Sequence, residues 1–145
     1  MATAPQFATN AAPVSRVMPA TITAANALRD GTGATGRALV VTAASLGFTR
    51  VPYLLCKPLG TGAACMICVF RNNGNDPEVA GNNALLSETE ITASTLSQTV
   101  KMPEYYIPLN AILTGHATAP ERLYVTLTAA HTAGIKVVPM NVGDS

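Results

Sequence analysis

Charge is the first thing this 145-residue chain lacks: Asp, Glu, Lys and Arg supply 12% of it, about half the ~25% usual in soluble domains. Nine Lys and Arg against eight Asp and Glu leave a formal net charge of +1. A dilute monomer relies on interspersed charge to stay apart from its copies, so the scarcity reads as a surface covered largely by neighbouring subunits. Mean hydropathy is +0.28, raised in part by alanine, which buries little area per residue. The basic residues are scattered singly between Arg16 and Lys136. Phosphate backbones are held by clustered cations, so nucleic acid is not an expected partner.

Long apolar runs are missing too. The longest, residues 63–70, falls far short of the ~20 residues a spanning helix needs, and no membrane partner is expected. Residues 1–12 have neither the basic start nor the continuous apolar stretch of a signal peptide. Tryptophan is absent and aromatics make up 5%, so the core falls to Val, Leu, Ile, Ala and Met. Three cysteines are an odd count, in keeping with reduced thiols made in a cytoplasm.

What is present is punctuation and alternation. Eleven Gly and ten Pro shorten the elements and argue against long helices. Residues 1–15 are rich in Ala, Thr and Pro without periodicity and read as an extended N-terminal arm; residues 16–145 form a single domain. Strands are expected at 37–43, 50–57, 63–71, 85–91, 105–113, 122–128 and 135–142, the last closing a hairpin. Pro52 and Pro58 suggest an edge position for 50–57. In 122–128, Leu123, Val125 and Leu127 face in, and Arg122, Tyr124, Thr126 and Thr128 face out. In 63–71, Cys65, Ile67 and Val69 share one face while Met66, Cys68 and Phe70 share the other. A strand apolar on both faces is central, covered by the opposing sheet and by something outside. About eight short strands between turns indicate an all-β, antiparallel β-sandwich, jelly-roll-like.

Candidate chemistry is thin. Cys65-x-x-Cys68 lacks the further ligands of a zinc site, and residues three apart on a strand face opposite ways; the thiols read as buried and structural. His116 and His131 fall in solvated loops. No Gly-x-Ser-x-Gly elbow marks a nucleophile. Glu88 and Glu90 share a strand face, but the aromatics of a sugar cleft are scarce. Gly31-Thr32-Gly33 and Gly60-Thr61-Gly62 are turns with no phosphate-loop lysine. Asp76 and Glu78 lack an EF-hand spacing. No cofactor, metal or catalytic residue is assigned, and the chain is not read as an enzyme.

Asn26-x-x-Arg29-Asp30-Gly31-Thr32-Gly33, the Gly60-Thr61-Gly62 turn, Phe70-Arg71-Asn72-Asn73-Gly74 and the terminal Gly143-Asp144 together resemble a set of small proteins from tailed-phage structural gene clusters. The likeness spans most of 26–144; the Ala/Thr/Pro arm and the Asn-rich stretch 72–83 depart from it. The resemblance implies a β-sandwich virion component, a capsid decoration (cement) protein made in the host cytoplasm, often trimeric, and it carries no catalytic residues. Its partners would be the major capsid protein and further copies of itself. The arm, through Pro5, Phe7 and Pro13, is the expected strap; the outward face of Met66, Cys68 and Phe70 is the expected subunit interface. The alternative is a tail or fibre-associated module that recognises host glycan.

Overall fold

Val, Ile, Thr and Leu recur at alternate positions through most of the chain, and Gly, Asn and Pro interrupt them, which is the pattern of short strands and turns. A computed structural model describes residues 14–145. Its strands in chain order are β1 (Arg16–Val17), β2 (Ala20–Ile22), β3 (Arg37–Thr42), β4 (Phe48–Pro58), β5 (Cys65–Asn72), β6 (Asn83–Ile91), β7 (Tyr105–Thr114), β8 (Arg122–Leu127), β9 (Ile135–Met140) and β10 (Gly143–Asp144). One 3-10 turn, Ala80–Asn82, precedes β6.

The pairing is nested: β2 lies against β9, β3 against β8, β4 against β7 and β5 against β6, all antiparallel. Further pairing of β9 with β4 and of β8 with β5 rolls this nest into two sheets. Sheet A runs β1-β3-β8-β5-β6. Sheet B runs β7-β4-β9-β2, with β10 continuing past β9 along the same side of β4. The fold is an antiparallel β-sandwich in jelly-roll order. Its core joins Val51, Leu54, Ile107, Leu113 and Val137 of sheet B to Val41, Ile67, Val69, Leu123 and Val125 of sheet A, each contributing ~1.5–3 kcal/mol by leaving water.

Two expectations need correcting. Strand β4 is not an edge: β7 flanks it on one side, β9 and β10 on the other. Its prolines are tolerated because Pro52 sits where the register against β7 shifts, between Val51 and Tyr53, and Pro58 is the last residue of the strand. A missing N–H costs little at a bulge or a strand end. Strands β8 and β9 do not form a hairpin either; they belong to opposite sheets, and the chain between them crosses the end of the sandwich. The arm expected over 1–15 lies outside the described residues except for Val14 and Ser15, and so do Pro5, Phe7 and Pro13.

Candidate functional site

The outward face of sheet A carries Leu39, Cys68, Phe70 and Tyr124, in register across β3, β8 and β5. Here the expected interface changes character. Cys68 and Phe70 are 0% exposed in the single chain, and Met66 is half-buried. The cover is the chain's own segment 26–36. It enters beside β8, where the Asn26 N–H donates to the Leu127 carbonyl. It ends its crossing at β6, where Arg29 pairs with Glu88 and Asn83 Nδ2 donates to the Asp30 carbonyl at 3.1 Å. Asn26 staples the loop from inside: its Nδ2 donates to the carbonyls of Thr32 (3.0 Å) and Gly33 (2.8 Å), and its Oδ1 accepts from the Leu28 N–H. Arg37 lies over the Tyr124 ring at 5.1 Å and pairs with Glu78 at 2.7 Å. Cys68 and Phe70 therefore offer no surface to a partner, and Tyr124 and Thr126, read as facing out, are buried as well.

The three thiols are free and buried. Burial pushes Cys56 up to about 12 and raises Cys65 and Cys68, which makes them poor nucleophiles and poor metal ligands. Among the described residues, no group of three or more His, Cys, Asp or Glu side chains gathers to hold a metal ion, and no helix is long and apolar enough to cross a membrane.

His131 is the second correction to a residue reading. It is a core residue, 0% exposed, sealing the sandwich end where β8 crosses to β9. Its N–H donates to the Thr23 carbonyl, and its ring fills the space a Cβ would take at Gly62. Nε2 lies 3.3 Å from Ser94 Oγ, which donates to the Gly60 carbonyl at 2.7 Å. With the serine proton directed there, Nε2–H is the donor to Oγ. The free lone pair is then on Nδ1, which is buried without a partner. In that arrangement the serine proton goes to the Gly60 carbonyl and not to the imidazole. Burial holds the imidazole below its ordinary pKa. His116, in contrast, is exposed, its Nδ1 accepting from the Ala119 N–H at 3.0 Å.

Sheet B presents the opposite arrangement: among the described residues, large side chains of its outward face stand exposed. Phe48, Tyr106 and Ile112 are 52%, 61% and 53% exposed. Register places Tyr106 beside Leu55 and Leu55 beside Val138; Pro108 beside Tyr53 and Tyr53 beside Met140; Ile112 beside Arg50. The result is an apolar stripe along β7 and β4 that reaches β9. Tyr53 and Tyr106 stand with ring centroids 5.9 Å apart and tilted by 49°, next to Pro52, Pro108 and Asn110 around a groove of about 530 Å³. Asn110 has φ 47°, opposite the Pro52 register shift. A second groove, about 420 Å³, opens at the other end between Phe48, Ile112, Arg50 and the chain end 143–145.

Asp144 fastens that end. Its Oδ1 accepts from Thr49 Oγ1 at 2.7 Å, and its Oδ2 accepts from the Ser15 N–H (2.9 Å) and hydroxyl (3.1 Å). Partial burial alone would raise this carboxyl, but these hydrogen bonds prevail and hold it below 3.8. Nothing in the residue pattern distinguished this face in advance, because β4 and β7 show the same alternation as strands whose outer side is covered. No family model, curated protein or solved structure matches the chain.

Proposed function

We propose that this is a structural virion protein of a tailed bacteriophage: a capsid decoration (cement) protein that binds the major capsid protein and stabilises capsomer junctions as a homo-oligomer, in trimeric form. It acts by binding, not by chemistry. The observation that carries this reading is the exposed apolar face of sheet B in a chain with so few charges. Monomeric proteins seldom leave such a contiguous patch uncovered, and a subunit that must sit among copies and on a shell has reason to. The turn motifs that resemble tailed-phage proteins add the virion context. Multivalency supplies the strength, since several modest contacts in one oligomer act together.

A second reading, a tail or fibre-associated module for host glycan, is favoured by one feature: the Tyr53–Tyr106 pair beside the Asn110 amide offers stacking surface and hydrogen-bonding groups of the kind sugars engage. One experiment tests both. Antibody against the purified chain, gold-labelled, is applied to intact phage particles released by the cells that carry its gene. Label spread densely over the head is expected; label confined to the tail assigns the glycan reading, and particles without label overturn both.

A further inference from the structure

We propose that one end of the sandwich is a second contact surface, apart from the sheet B stripe, and that its partner is an acidic protein surface. The inference rests on the virion reading, in which that surface belongs to the shell and the stripe serves contacts between copies.

The end is built from three connections: 59–64 between β4 and β5, 92–104 between β6 and β7, and 128–134 between β8 and β9. They brace one another. Gly62 and Ser94 exchange backbone hydrogen bonds, both at 3.0 Å, and the Leu59 N–H donates to the Gly134 carbonyl at 2.9 Å. The Leu96 N–H donates to Thr61 Oγ1 at 2.9 Å. Ser97 Oγ accepts from the N–H groups of Thr99 and Val100, both at 3.1 Å, which closes the tip of the longest connection. On this framework Leu59, Leu96 and Val100 keep 49%, 64% and 68% of their surface in water. A backbone already ordered cuts the entropy lost when a partner covers such side chains.

Charge names the partner. The chain's three lysines, Lys57, Lys101 and Lys136, lie far apart in sequence, and the fold gathers them here. Lys57 and Lys101 converge on Glu104 at 3.3 and 3.5 Å, and Lys136 is the register partner of Lys57. Three lysines against one glutamate give this end a formal charge of +2, while six arginines against seven Asp and Glu leave the rest of the chain at −1. Like charges directly opposite on neighbouring strands repel, and among the described residues no carboxylate pairs with Lys136. A carboxylate brought from outside to Lys57 and Lys136 relieves that repulsion, so the surface selects for acid.

Protein suits this end better than lipid. Ser97, Gln98 and Thr99 stand between Leu96 and Val100, and the three connections contain no Trp, Tyr or Phe. Polar groups beside apolar tips match an interface that returns hydrogen bonds, whereas membrane-seated segments carry aromatics at the headgroup level.

Cosedimentation tests this. Undecorated shells, from phage whose copy of the gene is deleted, are pelleted with increasing amounts of the purified full-length protein. The unaltered protein should coat the shells, and its half-occupancy concentration should rise with sodium chloride. Lys101→Glu/Lys136→Glu should need at least about tenfold more protein, and Lys101→Arg/Lys136→Arg should bind as the parent does. Charge-reversed protein that coats shells as tightly as the parent overturns the proposal and leaves the decoration reading standing. A parent that does not pellet with shells overturns both, so the two failures are told apart. Binding of the parent to vesicles of phosphatidylglycerol and phosphatidylcholine, and not to shells, assigns the end to a membrane surface and overturns the proposal as well. Stability gives an independent check. Lys136→Glu replaces a like-charge pair by an opposite one, so its urea midpoint should equal or exceed the parent's; a lower midpoint counts against the proposal.

Discussion

At the scale of single residues, His131 shows how a buried titratable group can be structural and still leave a signature. The imidazole packs on Gly62 and lies within hydrogen-bond distance of Ser94, and burial is what acts on its proton affinity. Its pKa is depressed in the folded chain from the ordinary 6.5. The sign follows from proton counts. Above 6.5 the ring is neutral in both states and its contribution to stability is complete. Below 6.5 the unfolded chain binds a proton that the folded chain does not, so stability falls by at most ~1.4 kcal/mol per pH unit until the pH passes the folded value. The urea midpoint should therefore be lower at pH 5 than at pH 7.5, and His131→Asn should remove that part of the slope. An equal fall in both proteins would show that other groups cause it. Gly62 belongs to the same contact, since any side chain there meets the ring.

Among the elements, the loop 26–36 does what an outside partner was expected to do. The strand pattern of β5 states only that Phe70 and Cys68 are covered; it is silent on whether the cover is another subunit or a segment 40 residues earlier in the same chain. Alternation made β8 legible, and an apolar run with both faces buried made β5 legible, because one face of each lies on the core between the sheets. What escaped depends on long-range geometry: the place of β4 inside its sheet, the meeting of Ser94 with His131, and the contrast between a covered sheet A and a sheet B whose outer side chains stand exposed. Prolines in β4 pointed to an edge only because a bulge that accommodates Pro52 leaves no mark in sequence. The loop's role can be measured. Asn26→Ala removes three internal hydrogen bonds of a buried side chain, which should cost ~1–3 kcal/mol and loosen the loop before the sandwich itself opens. In the unaltered protein a thiol reagent should reach the cysteines only on unfolding. In Asn26→Ala, Cys68 should react in the folded state while Cys56, deep in the core, remains protected. Identical reactivity of the two thiols would mean that the loop opens only with the whole domain.

For the whole molecule, the two sides of the sandwich differ: one is closed by the chain's own loop, and the other is the face the proposed function assigns to contact. This separates stability from assembly, and the separation is testable. Ile112 and Phe48 point away from the core and keep about half their surface in water, so replacing them should change folding stability by no more than ~0.5 kcal/mol. A charged residue there would have to be desolvated in any interface, at a cost of several kcal/mol unless it found a partner. Ile112→Glu alone places a carboxylate beside Arg50, its register partner, and that pairing would blunt the effect. Phe48→Glu faces Thr114 across the strands but stands two residues from Arg50 on the same exposed face of β4, around the same groove, so it has the same cation in reach. On the proposed reading both variants should shift the sedimentation of the protein towards monomer and abolish particle labelling, and combining either with Arg50→Ala should make the shift more complete. Raising sodium chloride should leave the proposed assembly nearly intact, because apolar contacts through this face would be little affected by screening. If both variants sediment as the parent does while their unfolding midpoints drop, the face of sheet B is part of the fold's own support and not a docking surface.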